Sequence, residues 1–293
     1  MKVFLAGASG VVGRLLIPLL TAQGHTVSGT TRDPNKADLL RSLGAQPLVI
    51  DVYDRDGLFA AVRAARPDAV LHQLTDLTRL DFAATARVRT EGTRNLVDAA
   101  QAVGVPRMVT QSFWGVYVPG EGLADEETPL YIDAPEPWDR VAQPIAIMEQ
   151  TVNELPKSVV LRYGLFYGPG TAFDLDGRTA KRVRQSQMPA NENVVSFLHI
   201  EDAAISAMQA LGWPAGTYNI ADDEPVATSD WLPQYAAEIG APPPPRAAGR
   251  DPLLSRGVTS QKARREQGWT PRHPSWRAGF VRTRDHHQLA RER

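Results

Sequence analysis

No cysteine occurs anywhere in the sequence. Disulfide bridges, thiolate nucleophiles and cysteine-ligated metal centres are therefore excluded. The sequence also lacks an unbroken apolar run of the roughly 20 residues that a membrane-spanning helix needs. Glycines interrupt the apolar segment after Met1, so the start does not have the pattern of a signal peptide. We therefore expect a cytoplasmic protein that is not associated with a membrane.

An excess of charge of either sign is also missing. The 32 lysine and arginine residues nearly balance 33 acidic residues, and the formal net charge is -1. This balance gives no electrostatic reason to expect nucleic acid or an anionic lipid surface as a partner. The hydrophobic content of 43% is typical of a globular protein. A chain of 293 residues is long enough for one large α/β domain or for a domain with a smaller lobe.

The most informative feature that is present is a glycine-rich turn near the start. An apolar strand pattern at residues 3–6 precedes it, and a helical pattern at residues 11–23 follows it. This order directs backbone N–H groups and the positive end of a helix dipole at one point, which suits a pyrophosphate. Gly7 permits the tight turn, Gly10 allows close approach of the phosphates, and Gly13 allows close packing of the helix. We predict a dinucleotide site, with a purely structural turn as the alternative, and assign to it also Ser9, Val11 and Val12.

Strand and helix patterns alternate through the first half of the chain. This alternation implies right-handed crossovers and a parallel sheet, which binds ligands at the carboxyl ends of its strands. A long helical pattern covers residues 81–103, and another helix is predicted at residues 143–154. The predicted strands that follow the first one lie at residues 26–30, 46–50, 68–72 and 107–110.

Several motifs in a fixed order accompany the glycine turn. EGTRNLVDAA begins at Glu91, VLRYGLFYGPG at Val160, FLHIEDAA at Phe197 and TYNIADDEP at Thr217. Together with the turn, they resemble the extended, atypical branch of the short-chain dehydrogenase/reductase superfamily. That branch contains NAD(P)-dependent nucleotide-sugar epimerases and dehydratases. The resemblance covers nearly the whole chain and implies an α/β fold with a Rossmann-type doubly wound parallel sheet and a small C-terminal substrate-binding lobe.

The same resemblance implies a division of the chain. Residues 1–165 correspond to the NAD(P)-binding Rossmann core, to which segments near residues 194–220 return. Residues 166–281 correspond mainly to the substrate-binding lobe, and residues 282–293 are expected to form a flexible tail. We expect the two adjacent histidines of this tail to be solvated, and we predict no metal site.

The end of the second strand bears on the choice of cofactor. An NAD-selective site has a carboxylate there, which accepts hydrogen bonds from the ribose hydroxyls. This sequence has Thr31 and Arg32 instead, and a guanidinium pairs well with a 2′-phosphate. We therefore predict a preference for NADP(H), with NAD as the alternative cofactor. By family position, further cofactor contacts are expected at the adenine from Asp51 and Val52, along the nicotinamide ribose from Gln73, Leu74 and Thr75, and at the nicotinamide pocket from Tyr163.

The catalytic pair that the resemblance implies is missing. Members of the superfamily typically use a tyrosine as general acid, and a lysine four residues later lowers its pKa and holds the nicotinamide ribose. The corresponding residues here are Val141 and Ile145, and neither side chain can transfer a proton. Ser112 is the candidate hydrogen-bond donor to the substrate or to the nicotinamide amide. Tyr117 is the candidate replacement acid or substrate contact.

Other positions depart from the family pattern or suggest a role. Arg89 stands where the family usually has asparagine, and Glu149 is expected to face solvent. His199 occupies a family position at which a structural hydrogen bond is expected. A basic segment hints at an acidic substrate, with a solvated helix face as the alternative: it contains Arg178, Lys181 and Arg182.

Three functions are compatible with this sequence. The leading one is an atypical NADP(H)-dependent oxidoreductase or epimerase-like enzyme that acts on a small hydroxy or carbonyl compound. The alternatives are an NADP(H)-binding redox sensor without catalytic activity and a non-redox isomerase or cyclase that uses the same pocket. Many relatives pair through two long helices, so we also expect that a homodimer could form through residues 81–103 and 143–154.

Overall fold

The structure is a computed structural model that describes residues 1–75 and 81–280. The chain forms two compact units, and each is assembled from three separate stretches. The first unit contains Met1–Phe113, Ile132–Arg162 and Ala204–Tyr218; the second contains Trp114–Tyr131, Tyr163–Ala203 and the chain from Asn219 onward. The tail that we expected to be flexible, residues 282–293, lies outside the described residues.

The strands match most of the predicted positions. β5 continues three residues beyond the predicted end at Thr110, and the remaining strands of the first half agree to within one residue. The strands are β1 Lys2–Ala6, β2 Thr26–Thr31, β3 Gln46–Val49, β4 Ala69–His72, β5 Arg107–Phe113, β6 Lys157–Tyr163, β7 Leu165–Tyr167, β8 Val194–Val195, β9 Phe197–His199, β10 Gly216–Ile220 and β11 Val226–Ala227.

The helices alternate with these strands through the first half of the chain, as predicted. They are α1 Val11–Ala22, α2 Ala37–Ser42, α3 Arg55–Ala65, α4 Phe82–Arg87, α5 Thr93–Ala102, α6 Asp139–Val152, α7 Arg178–Arg184, α8 Ile200–Gln209, α9 Thr228–Glu238 and α10 Gln261–Gln267. None of the helices within the described ranges combines the length and the hydropathy of a membrane span.

The first unit is built on a sheet of seven described strands in the order β10-β6-β5-β4-β1-β2-β3. β1 lies between β2 and β4 and is parallel to both, with Val3 opposite Val27 on one side and Ala69 on the other. Chain connections run outward from β1 in both directions, which is the pattern of a doubly wound sheet. The predicted α/β class is confirmed, and the carboxyl ends of β1, β2 and β4 meet at one edge.

Local sequence explains where the individual helices begin and end. The Asp54 carboxylate accepts a hydrogen bond of 3.1 Å from the Gly57 N–H and caps the start of α3. Arg66 takes a left-handed conformation at the other end, directly before Pro67, which cannot continue the helix. The predicted helix over residues 81–103 is interrupted by a π-helical turn, Val88–Gly92, between α4 and α5. Such turns occur frequently at functional sites.

Each unit has an apolar core of its own composition. The core of the first unit is mainly aliphatic and contains Phe4, Val70, Leu96, Met108 and Val152, all of which are buried. The core of the second unit is aromatic and is centred on Phe197, which lies in β9. Ring centroids 5.3 to 6.1 Å from that of Phe197 belong to Tyr167, Phe173, Trp231, Trp276 and Phe280.

Candidate functional site

The glycine turn between β1 and α1 has the backbone geometry that the sequence predicts. Gly7 has φ +89°, and a Cβ atom there would lie 2.7 Å from the Gln73 carbonyl oxygen. A Cβ on Gly13 would overlap the carbonyl oxygen of Gly7. A Cβ on Gly10, at the start of α1, would meet only the Gly7 carbonyl oxygen, at 3.2 Å. Gly7 and Gly13 are therefore required by the fold, whereas Gly10 leaves room at a helix N-terminus where a pyrophosphate fits.

The end of β2 offers an exposed cation. Thr31 is buried, and its hydroxyl accepts a 3.2 Å hydrogen bond from the Asp33 N–H, while Arg32 is exposed. The Asp33 carboxylate accepts a 3.0 Å hydrogen bond from the Asn35 N–H and caps a short turn. The carboxylate closest in sequence to Arg32 therefore has a structural role, and Arg32 is the charged side chain that this segment presents.

The end of β3 leads to the residues predicted to lie near the adenine. The Asp51 carboxylate accepts a 3.0 Å hydrogen bond from the Tyr53 N–H and shapes the turn. Val52 is buried, and its carbonyl accepts a 3.1 Å hydrogen bond from the Asn95 side-chain amide. Both residues follow β3 at the same sheet edge as the glycine turn. Their contact with adenine stays a prediction.

The residues after β4 carry a polar group that has no partner in the described part of the chain. Gln73 is buried, and its side-chain nitrogen and oxygen have no hydrogen-bond partner among the described residues. An unpaired buried amide is costly, and a ligand that pairs with it removes the cost. Gln73 is thus suited to the predicted contact with the nicotinamide ribose. Leu74 and Thr75 follow it, and Thr75 is exposed.

His72 ends β4 and is held as a neutral ring. Its Nδ1 accepts a 3.3 Å hydrogen bond from the Leu74 N–H, so the ring proton lies on Nε2 and is donated to the Thr93 hydroxyl at 2.9 Å. Burial lowers the pKa of His72 to about 4. A histidine that stays neutral at physiological pH cannot act as a proton donor in its charged form. We therefore assign it the role of joining β4 to the start of α5.

One face of α6 carries the residues at which the resemblance predicts the acid–base pair to be missing. Val141, Ile145 and Glu149 are spaced four residues apart, so they lie along the same side of the helix. Ile145 is fully buried, and Val141 is partly buried. Two of the three positions on this face hold hydrocarbon side chains. The third, Glu149, is the acidic residue of this face.

Glu149 does not face solvent, and the expectation that it would is wrong. It is buried and paired with Arg162 of β6, at 3.0 Å from Nε and 2.6 Å from Nη2. The Ser112 hydroxyl donates a 2.6 Å hydrogen bond to the same carboxylate. A buried cation at this position compensates the charge of Glu149, which makes burial tolerable. The Ser112 proton is engaged by Glu149, and only its lone pairs are left for another partner.

Two further predicted residues belong to the second unit. The Tyr117 hydroxyl donates a 2.7 Å hydrogen bond to the Asn219 side-chain oxygen, and both residues are buried. The Tyr163 hydroxyl donates a 3.1 Å hydrogen bond to the Ala203 carbonyl, and its ring centroid lies 5.3 Å from that of Phe166. The structure therefore gives each hydroxyl a partner within its own unit. The roles of Tyr117 as an acid and of Tyr163 as a pocket wall stay predictions.

His199 belongs to a small polar cluster in the second unit. Its Nδ1 accepts a 3.3 Å hydrogen bond from the Glu201 N–H, and its ring stacks on that of His273 with centroids 3.6 Å apart. The Glu201 carboxylate lies 3.0 Å from Nε2 of His273. Ring lone pairs lie in the ring planes, so two stacked rings, here 26° apart, point past rather than at a common ion. This geometry favours the structural hydrogen bond predicted for His199.

The basic segment forms α7, whose seven residues begin at Arg178. Burial, followed by the positive charge of Arg182, lowers the pKa of the partly buried Arg178. Lys181 and Arg182 are exposed. The contact of this segment with an acidic substrate stays a prediction.

Arg89 is a residue whose environment could not be read from the sequence. It lies in the π-helical turn, and its side chain is partly buried. Within residues 1–75 and 81–280 it has neither an ion pair nor a hydrogen bond, and burial lowers its pKa to about 10. In the sequence, the only indication that Arg89 is unusual is that it stands where the family usually has asparagine.

Comparison with known proteins agrees with this geometry. Residues 7–143 match the sequence profile of a family described as NAD(P)H-binding. The chain is 42% identical to a 3-diazoavenalumate denitrifying reductase from a Streptomyces species, over 96% of this chain and 100% of that protein. It is 30% identical to 2-alkyl-3-oxoalkanoate reductase from Stenotrophomonas maltophilia, over 83% of this chain and 77% of that protein.

A solved structure shows the same fold. The crystal structure of UDP-glucose 4-epimerase from Thermus thermophilus in complex with NAD superimposes with a TM-score of 0.79. The alignment covers 99% of this chain and all of that one, at 26% sequence identity.

Proposed function

Because the chain belongs to the short-chain dehydrogenase/reductase superfamily, in its extended branch of NAD(P)-dependent enzymes, we propose that it is an NADPH-dependent reductase that donates no proton to its substrate. The observation that carries this proposal is the face of α6. Val141 and Ile145 occupy the positions at which the superfamily places its acid and its lysine. The remaining acid on that face, Glu149, is held by Arg162. A reaction that consumes hydride without a protein-derived proton suits this arrangement.

The chain's own residues supply the cofactor site. The room beside Gly10 accommodates the pyrophosphate, and the Gln73 amide pairs with the ribose at the nicotinamide end. Arg32 favours NADPH over NADH, because its guanidinium is exposed at the end of β2, where the 2′-phosphate is expected, and can pair with that phosphate. The bound cofactor supplies a hydride. The protein holds the cofactor and the substrate in the orientation that hydride transfer requires, and it excludes competing reactions.

We propose a carboxylate that carries a diazo group as the substrate. A reductase that is 42% identical over its whole length is named for 3-diazoavenalumate and for a denitrifying reaction. In its diazonium form the diazo group is a cation, R–N2⁺, and one hydride replaces it: a C–H bond forms and the C–N bond breaks. The bonding electron pair leaves with dinitrogen, which is neutral and takes no proton. This stoichiometry explains why a chain can keep the cofactor site while it lacks the tyrosine and the lysine.

Reduction of a carbonyl compound is the second candidate. It is favoured by the 30% identity to a reductase that is named for a 2-alkyl-3-oxoalkanoate, which is also a carboxylate. That reaction generates an alkoxide and needs a proton. Ser112, Tyr117 or a water molecule would have to supply it. Ser112 and Tyr117 donate their protons to Glu149 and Asn219, respectively, which makes this candidate the weaker one.

The test measures whether deuterium in the product comes from the cofactor or from the solvent. The purified protein is incubated with 3-diazoavenalumate and NADPH that carries deuterium at nicotinamide C4, and separately with unlabelled NADPH in D2O. We expect dinitrogen release, NADPH oxidation and transfer of label from the cofactor but not from the solvent. Turnover of a 3-oxoalkanoate alone would favour carbonyl reduction. NADPH binding without turnover of either compound would indicate a redox sensor, and conversion without NADPH an isomerase or cyclase.

A further inference from the structure

Arg89 lies on a segment that packs against the carboxyl edge of the sheet. Gly92, three residues later, approaches Val52 so closely that a Cβ on it would lie 3.1 Å from the Val52 side chain. Thr93, four residues later, is hydrogen-bonded to His72 at the end of β4. Residues four apart share one face of the turn, also where it is π-helical. The side chain of Arg89 therefore starts from the face that is turned toward the end of β4, beside the segment that follows β3.

Arg89 differs from the neighbouring arginines in lacking a described ion-pair partner. Arg87 forms a 2.6 Å ion pair with Glu91, and Arg94 binds Glu154 at 2.7 Å. Arg89, which lies between them, has no such partner in the described residues. Burial alone perturbs its pKa, so no described charged group compensates the guanidinium. A desolvated cation without a counter-ion is costly and marks a place where an anion binds.

A second unpaired polar group lies at the same edge. Gln73 follows His72 directly, and His72 is bonded to Thr93 on the face from which Arg89 projects. The amide of Gln73 is buried without a partner among the described residues. Gln73 is assigned above to the cofactor, so the unpaired cation on the adjoining segment lies beside a place where a ligand is expected to bind.

The identity of the ligand group follows from the charge. One guanidinium compensates one negative charge, and no second described cation acts on Arg89, so a monoanion fits better than a phosphate dianion. The planar fork of arginine matches a carboxylate through two parallel hydrogen bonds. The π-helical turn packs against α6, where Ile145 occupies the position of the family's lysine. The cation absent from α6 is thus supplied by the adjoining segment.

We infer that Arg89 binds the carboxylate of the substrate and thereby determines its specificity for acids. The inference rests on the proposed function, because it assigns a residue to the carboxylate of that substrate. It requires that acids bind much more tightly than their neutral esters, and that the difference disappears when the guanidinium is removed.

Isothermal titration of the NADP⁺ complex tests this. The probes are avenalumate, which is the proposed substrate without its diazo group, and its methyl ester. We expect Arg89→Gln to weaken binding of the acid by roughly tenfold or more. Binding of the ester and of NADP⁺ should be unchanged. Arg89→Lys should retain part of the affinity for the acid. Arg87→Gln is the matched control, because Arg87 is exposed and paired with Glu91, and it should behave as the wild type.

Three outcomes would overturn the inference. An equal loss of NADP⁺ affinity in Arg89→Gln would place an anionic group of the cofactor at Arg89. Asp76 lies outside the described residues, so a contact with Arg89 is tested separately. An equal effect of Asp76→Asn on binding of the acid would indicate that the partner of Arg89 lies in the chain. A lower melting temperature of ligand-free Arg89→Gln would indicate the same, since removal of an unpaired cation should not destabilise the fold. If the wild type binds neither probe, the proposed substrate is wrong, and the melting temperatures still decide whether Arg89 is unpaired.

Discussion

Arg162 binds Glu149 through two parallel contacts in the interior of the first unit, with Nη2 2.6 Å from Oε2 and Nε 3.0 Å from Oε1. Ser112 adds a third hydrogen bond to the same carboxylate. The residues lie on β6, α6 and β5, so the pair ties the helix to two neighbouring strands. These contacts fix α6 in place.

Removing the negative charge of this pair should destabilise the protein. Glu149→Gln leaves the buried Arg162 without a counter-ion, and we expect the free energy of unfolding to fall by about 3–5 kcal/mol. Ser112→Ala removes one hydrogen bond and should cost only about 1 kcal/mol. Urea denaturation followed by circular dichroism measures both values. Equal stability of Glu149→Gln and the wild type would show that the pair does not contribute in this way.

Two glycine substitutions should separate cofactor binding from folding. Gly13→Ala introduces a Cβ that overlaps backbone atoms of the turn, so we expect a lower melting temperature. Gly10→Ala meets only the Gly7 carbonyl and should change the melting temperature little. Its methyl group occupies the approach of the pyrophosphate, so NADPH affinity should fall by roughly tenfold or more. Calorimetry and thermal unfolding of each variant check this, and unimpaired NADPH binding by Gly10→Ala would contradict it.

The preference for NADPH should depend on Arg32. Its guanidinium is exposed at the end of β2, and a charge-assisted pair with a phosphate is worth about 1.5–3 kcal/mol. Arg32→Ala should therefore weaken NADPH binding by roughly tenfold or more and leave NADH binding unchanged. Titration of wild type and variant with both dinucleotides measures the preference. Arg14→Ala, which removes an exposed arginine from α1, is the control for a general loss of positive charge. Equal affinity of the wild type for NADPH and NADH would refute the preference.

A buried carboxyl group in the second unit should make stability depend on pH. Burial raises the pKa of Asp222 to about 8, and one of its oxygens has no hydrogen-bond partner in the described chain. Between its ordinary pKa of 3.8 and about 8, the folded protein binds one proton more than the unfolded chain. The free energy of unfolding should therefore fall as the pH rises through this window.

The matching variant is Asp222→Asn, whose amide cannot ionise. At pH 7 it should be more stable than the wild type, by an amount on the order of 2–4 kcal/mol, and the difference should shrink as the pH is lowered toward 4. Urea titrations at several pH values give this comparison. A difference that is constant from pH 4 to pH 8 would show that the effect does not arise from ionisation.

The fold could be predicted from the sequence because its determinants are local. The bounds of α3 are set by neighbouring residues, since Asp54 caps one end and Pro67 stops the other. The order of strands and helices in the first half, and the use of glycine in the first turn, follow from patterns within a few residues. α6 begins at Asp139, four residues before the predicted start, because Pro144 obscured its first turn.

The environment of the site residues could not be predicted, because it depends on partners far apart in sequence. The sequence predicts a solvent-exposed Glu149, because nothing near it in the sequence indicates that Arg162 of β6 lies beside it in the fold. Tyr117 and Asn219 are 102 positions apart and share one hydrogen bond. For Arg89 the decisive property is that no described partner reaches it, which no pattern in the sequence encodes. The absence of the tyrosine and the lysine is inferred only from a family resemblance.

The six alternating stretches of the two units also constrain how this chain is made and how it could be altered. The first unit is complete only after Tyr218 has been synthesised, by which time about three quarters of the chain has been made. Its early strands must therefore wait, partly assembled, while segments of the second unit emerge. For the same reason, no single cut or gene fusion can transplant the second unit onto another dehydrogenase. Recombination between relatives would have to preserve every junction at once, so new specificity in such chains is expected to arise by point substitution.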